Sequence, residues 1–383
     1  MRLCLIANLS IHTQRFARHL LEQGHEVHLI GFGAAQVPMP PGVVFWSAAA
    51  KPALERSEGL PQRSMGKLRW PLWVHAVRRT VRKLRPDVLH AHQIATAGWL
   101  GAATGYRPFL VTAWGSDLMV GARRSRLQRL LARWVLRRAD YVTCVSQGLA
   151  EAARDLGADP RRLEVAPWGV DVAVYHPPED REALRQRLRL GSGPLVLSVR
   201  SVKPVYNPLD IAQAIPLVLD RHPQARFVIR SHNSDPGLLA QFQAVLCANG
   251  VDAAVCFVGD LPGEEAIADL YRVADVAVSV PSSDGTPSSV LEALASGAVP
   301  VVSDLPSLRE WVDHEKQALF VAVHDVPALA ASINRLLADA GLRRAMSGWG
   351  AQMVRERADS RIWMRRNEEI YEALAASVHP STR

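Results

Sequence analysis

Short apolar runs alternate with helical stretches along this chain, and the alternation occurs twice. Residues 3–7 are apolar, residues 14–21 carry Phe16, Leu20 and Leu21 at helical spacing, and residues 27–30 are apolar again, a strand–helix–strand start. Further strand candidates follow at 87–90, 109–112 and 141–145. The break His176-Pro177-Pro178-Glu179 interrupts the pattern, which restarts at 195–199 and continues through 226–229, 254–258, 276–280 and 299–303. Strands that alternate with helices pair in parallel, so the expected fold is α/β, with two Rossmann-like doubly wound sheets. The expected domains are 1–175 and 176–359, with the helical tail 360–383 packing back on the first. A length of 383 residues agrees, since single cores stop growing at about 250–300. Open parallel sheets bind ligands outside the carboxyl ends of their strands, so two facing sheets would share one cleft lined by strand-to-helix loops.

The apolar run at 3–7 is too short for a signal peptide, and no stretch approaches the ~20 apolar residues of a membrane span, so a cytoplasmic protein is expected. Cys4, Cys144, Cys247 and Cys256 are scattered and read as core thiols rather than metal ligands. Charge is uneven. Residues 1–175 hold 24 Lys and Arg against 12 Asp and Glu, while residues 176–383 hold 21 against 25. The basic excess of the first half points to an anionic partner.

The segment Ser283–Gly297, SDGTPSSVLEALASG, follows the apolar run 276–280 directly. Thr286 is expected to cap a helix that starts at Pro287 and ends near Gly297. The turn Gly285, Thr286, Pro287, Ser288 and Ser289, whose backbone N–H groups other than at Pro287 would be free, would form an anion site suited to a sugar nucleotide's diphosphate. Ser289, Glu292 and Ser296 form a polar stripe on this helix. Glu292, one turn in, can accept hydrogen bonds from ribose hydroxyls, and Asp284 can reach the sugar.

An acid, seven intervening residues and Glu292-Ala293-Leu294-Ala295-Ser296-Gly297 closely resemble the family 4 retaining glycosyltransferases of GT-B fold. The family usually has Glu where this chain has Asp284, one methylene shorter. The resemblance implies a metal-independent enzyme without cofactor that takes a UDP- or GDP-sugar in its second domain and a hydroxyl acceptor in its first. It further implies that Arg200 and Lys203, after the run 195–199, meet the diphosphate, with Asp284 beside them at the reacting sugar. Here Ser198-Val199 replaces the usual glycine, and Lys203 comes earlier than the family's lysine.

On the acceptor side the strand-end loops offer His12, His92 and Trp114-Gly115-Ser116-Asp117. His90 and His92 fall on one side of a strand, but no third metal ligand is evident, so no metal site is expected. Related enzymes often read His-Gly-x-Asp where this chain has Trp114, which cannot exchange a proton but can stack on a sugar ring. Asp117 matches the acidic position. Ala166-Pro167-Trp168-Gly169-Val170-Asp171 resembles the family's turn closing the first domain.

Residues 123–138 set Leu127, Leu130, Leu131, Trp134 and Val135 against a stripe of Arg126, Arg129, Arg133 and Arg137. A second basic amphipathic segment lies at 70–85. Such helices can lie on an anionic membrane, which would place the enzyme peripherally at the inner face of the plasma membrane, in lipid-linked or cell-surface glycan synthesis. Two rival readings stay open: a nucleotide-sugar 2-epimerase, which also uses two Rossmann-like domains, and a non-catalytic anion- or sugar-binding protein. No recognisable nucleic-acid motif is present, so no nucleic-acid partner is expected.

Overall fold

A computed structural model describes residues 1–32, 38–47, 70–115, 118 and 125–378. The chain divides into two compact units, Met1–Trp168 with Met364 onward, and Gly169–Trp363.

In the first unit the order is β1 (Arg2–Asn8), α1 (Ile11–Glu22), β2 (Glu26–Phe32), β3 (Val44–Ser47), α2 (Trp70–Leu84), β4 (Val88–His92), α3 (Thr96–Thr104), β5 (Phe109–Ala113), α4 (Arg126–Arg138), β6 (Tyr141–Cys144), α5 (Gln147–Asp155) and β7 (Leu163–Val165). The strands form a parallel sheet in the order β3-β2-β1-β4-β5-β6-β7. β4 and β5 are buried along their whole length, as strands covered by helices on both faces must be. Serines cap three of these helices: Ser10, Ser125 and Ser146 each accept the amide three residues on, meeting one otherwise orphaned donor.

The second unit runs α6 (Arg181–Leu188), β8 (Leu195–Ser198), α7 (Pro208–Leu219), β9 (Arg226–Arg230), α8 (Pro236–Ala248), β10 (Val255–Val258), α9 (Glu264–Val273), β11 (Val276–Ser279), α10 (Ser288–Ser296), β12 (Val299–Ser303), α11 (Pro306–Arg309), β13 (Leu319–Val321), α12 (Val326–Ala338) and α13 (Ala340–Met353). Its parallel sheet has the order β10-β9-β8-β11-β12-β13. Separate apolar clusters fill its two faces, one around Tyr271 and Leu294 and the other around Ile215 and Phe242.

The last helix, α14 (Ser360–Val378), begins in the second unit and continues in the first. In the first unit Arg366 forks onto Glu164 at 2.6 and 2.7 Å, and Tyr371 is fully buried against the sheet. Residues 169–175, which the sequence places in the first domain, belong to the second. The Val170 amide donates to the Ala358 carbonyl at 2.7 Å, and the Tyr175 ring packs on Tyr271. Gly169, at φ +68°, makes this approach possible, because a Cβ there would lie 2.7 Å from the Ala358 oxygen and the Ser360 Cα.

Three strands went unanticipated, β3, β7 and β13, and each is an edge strand of three or four residues. Half of the cysteine expectation fails: Cys4 and Cys144 are buried, but Cys247 and Cys256 are exposed. Cys256 lies on β10, an edge strand with an open face.

Candidate active site

Each sheet reverses its winding once, between β1 and β4 in the first unit and between β8 and β11 in the second. At such a point the loops leaving the two central strands diverge and open a crevice at the strand ends.

In the second unit these loops carry Arg200 and Asp284. Arg200 Nη1 lies 3.2 Å from Asp284 Oδ2 and donates to Ser289 Oγ at 3.1 Å, and its guanidinium stacks 4.1 Å above the Tyr206 ring. Asp284 Oδ1 accepts the Gly285 amide at 2.9 Å, whereas the buried Oδ2 accepts no aligned hydrogen bond. Burial raises the Asp284 carboxyl above its ordinary range and the facing Arg200 charge opposes it. Burial is the largest influence on Arg200 and weakens its hold on the proton, but Asp284, Tyr206 and Tyr271 together more than offset it, and the guanidinium holds its proton more firmly than usual. Asn207 braces the two loops together, its Nδ2 donating to the Val280 carbonyl and to Ser282 Oγ, both at 2.9 Å.

The helix expected after Asp284 is α10, but its start differs from the expectation. Pro287 stands at the cap position, no side chain caps the helix, and Ser288 is the first helical residue. The Thr286 carbonyl accepts the Ser288 amide at 2.9 Å, a local turn that displaces the hydroxyl cap. The Ser289 amide has no partner among the described residues, so an uncapped amide end faces the loop holding Arg200. Gly297 ends the helix at φ +93°. Glu292 is half-buried, with the Tyr271 hydroxyl 3.5 Å from Oε2. Ser296, expected on the same stripe, is buried at the far end of the helix instead.

The structure therefore brings Arg200, Asp284 and Ser289 into contact, with Glu292 one turn further along. Lys203 is half-buried before the turn Pro204–Tyr206 and has no ion pair among the described residues. Sequence reasoning missed Tyr206, Asn207, Tyr271 and Arg230. Tyr206 and Asn207 follow Arg200 within seven residues and could have been found as part of the same strand-end loop. Arg230 ends an apolar strand at its carboxyl edge, the signal used for Arg200.

In the first unit His12, His92, Trp114 and Trp168 cluster at the strand ends beside the switch point. Trp114 meets Trp168 edge-on at 5.2 Å, and His92 lies 5.6 Å from Trp114 and 5.5 Å from Trp168. His12 stacks on Trp168 at 6.1 Å and meets Trp114 at 5.8 Å. Both ring nitrogens of His92 are buried without a hydrogen bond among the described residues. Burial, reinforced by His12, pushes His92 down to about 3, and burial reinforced by Arg15 pushes His12 down to about 4, so both are neutral at pH 7. His90 has turned to a structural task, with Nδ1 2.6 Å from the Tyr371 hydroxyl and Nε2 2.7 Å from Thr112 Oγ1. Asp117 lies outside the described residues. Among the described residues no three His, Cys, Asp or Glu side chains stand close enough to hold a metal ion.

Two parallel sheets in one chain, each with its own switch point, are the architecture of the GT-B fold. Residues 9–174 match the model of "Glycosyltransferase Family 4" and residues 180–353 that of "Glycosyl transferases group 1". A D-inositol 3-phosphate glycosyltransferase of Salinispora tropica is 30% identical over 90% of this chain and 76% of its own length. One of Nocardia farcinica is 28% identical over 97% of this chain and 85% of its own length. Among solved structures, sucrose-phosphate synthase of Thermosynechococcus elongatus superposes with a TM-score of 0.83 at 20% identity, covering 98% of this chain and 100% of that one. Anabaena HepE in complex with UDP and glucose gives a TM-score of 0.79 at 17% identity, covering 98% of this chain and 100% of that one. At such identities the structural likeness speaks for the fold. The chain belongs to the family 4 glycosyltransferases, hexosyltransferases that move a sugar from a nucleotide sugar to a hydroxyl acceptor.

Proposed function

We propose that this enzyme transfers a hexosyl group from a UDP- or GDP-sugar with retention of anomeric configuration and without a metal ion. The observation that carries the reading is the Arg200–Asp284–Ser289 contact at the uncapped start of α10. There the Arg200 guanidinium and the Ser289 amide oppose the charge that grows on the departing diphosphate, with Lys203 as a further cation. Asp284 Oδ2 has capacity for a donor-sugar hydroxyl, and Glu292 holds the ribose. The sugar passes through a short-lived oxocarbenium-like species shielded by the leaving diphosphate, which takes the acceptor's proton, so no protein nucleophile is needed. The Anabaena neighbour's complex with UDP supports a nucleoside diphosphate as the donor's leaving part.

The acceptor reads as a polyol or sugar whose apolar face is set against Trp114 and Trp168, with a hydroxyl offered to His92 or His12. The inositol phosphate in the names of the relatives supports a cyclic polyol. Peripheral contact with an anionic membrane, suited to a lipid-linked acceptor, is supported by α4. Leu127 and Leu130 are 66% and 63% exposed there beside Arg126, Arg129 and Arg133. Among the described residues no helix is long and apolar enough to cross a membrane.

Release of nucleoside diphosphate from UDP- and GDP-sugars, followed with and without EDTA, tests the reading. Glu292→Ala and Asp284→Ala are each expected to slow release by at least ~100-fold, the scale of one lost transition-state contact, while EDTA leaves it unchanged. Unchanged rates in both variants would remove these residues from the reaction.

A further inference from the structure

Arg230 is the last residue of β9, which pairs in parallel with β8 so that Ile229 stands opposite Ser198. Continuing that register sets Arg230 level with Val199, one residue before Arg200 and one strand away, about 4.8 Å in sheet geometry. The two arginines share a neighbourhood. Both draw the buried Tyr271 hydroxyl downward against the upward push of burial and Glu292.

Their partners differ. Arg200 has Asp284, Ser289 and the Tyr206 ring. Arg230 is half-buried, its Nε is fully enclosed without an acceptor, and its side chain makes no hydrogen bond or ion pair with any described residue. Other sheltered arginines of the same unit have carboxylates: Arg185, whose Nε is likewise enclosed without an acceptor, reaches the Gly193 carbonyl and Asp275, and Arg272 reaches Glu265 and Asp269. A buried N–H without an acceptor lowers stability, and here it belongs to a charged group with no counter-charge beside it. Such a residue at a strand's carboxyl end, beside the switch point, is waiting for an anion.

We propose that Arg230 binds the diphosphate of the donor directly, as a catalytic cation alongside Arg200. The inference rests on the donor reading above. Because Asp284 already offsets the Arg200 charge, a guanidinium with no internal counter-charge contributes more field at the phosphates. Its fork of N–H groups matches two phosphate oxygens, and it opposes the negative charge that develops as the glycosidic bond breaks.

Calorimetric titration of the full chain with uridine and UDP, and with guanosine and GDP, tests this in wild type, Arg230→Met and Arg230→Lys at low and high salt. Arg230→Met should weaken the diphosphate that wild type binds by at least tenfold, leave the matching nucleoside within twofold, and flatten the salt dependence, with Arg230→Lys recovering part. Ligand-free Arg230→Met should also melt at or above the wild-type temperature, since it removes an uncompensated charge, whereas loss of a structural arginine would lower melting. Diphosphate binding within twofold of wild type in Arg230→Met overturns the proposal, as does equal loss of nucleoside and diphosphate. Wild type that binds neither diphosphate overturns the donor reading and the proposal together.

Discussion

Arg200 Nη1 and Asp284 Oδ2 stand 3.2 Å apart in the ligand-free chain, linking the loops that leave the two central strands of the second sheet. Their side chains are only 17% and 10% exposed. Asp284→Asn leaves the guanidinium enclosed without its counter-charge, a change that costs about 3 kcal/mol when a buried pair loses one member. A nucleoside diphosphate should restore part of that stability, because its phosphates replace the lost carboxylate. Urea unfolding of both proteins with and without UDP or GDP measures the expected narrowing of the difference.

One buried hydroxyl helps to seat the terminal helix. Tyr371 lies 2.6 Å from His90 Nδ1, and Thr112 and Thr143 extend the network across β5 and β6. Tyr371→Phe keeps the ring packing but strands a buried imidazole nitrogen, at a cost of about 1–3 kcal/mol. Urea titration should show the loss, and proteolysis should release the carboxyl-terminal segment sooner.

Gly169→Ala should be among the most damaging single changes. The added Cβ meets backbone of Ala358 and Ser360, which cannot yield, and φ of +68° disfavours any side chain. A loss of several kcal/mol, or no soluble protein, is expected, with thermal melting as the readout.

Acid should destabilise the first unit through its enclosed histidines. His92 is pushed to about 3, His12 to about 4, and His90 well below 6.5, burial being the largest cause in each. The unfolded chain takes up these protons near 6.5 and the folded one does not, so stability is fully present above about 6.5 and falls as pH drops towards 4. Each group contributes up to about 1.4 kcal/mol per pH unit. Urea midpoints at pH 7, 6, 5 and 4.5 should decline, and His92→Leu should make the decline shallower.

Central strands were legible in the sequence because a strand covered on both faces is dominated by apolar residues, as 276–280 and 299–303 are. The edge strand Leu163–Val165 lacks that constraint and left no run to find, whereas the edge strands Val44–Ser47 and Leu319–Val321 lie in the apolar runs 43–46 and 318–323, which were passed over. The donor loop was legible because Asp284, Glu292 and Gly297 are tied to one helix by local geometry. Thr286 misled, since a Thr-Pro pair supports either a hydroxyl cap or the tight turn that forms. Arg230 and Tyr271 come together only through strand order, which spacing along the chain does not encode. His90 and His92 look equivalent in sequence, and burial beside Tyr371 or beside Trp114 separates them.

The central claim is that the switch point of the second sheet holds a nucleoside diphosphate between Arg200 and Glu292. Calorimetric titration of wild type, Arg200→Met and Glu292→Ala with UDP, GDP and ADP tests it most directly. The expected result is that wild type binds at least one of the three, and that each variant weakens that binding by tenfold or more. Wild type that binds none, or variants that bind as tightly as wild type, would contradict it.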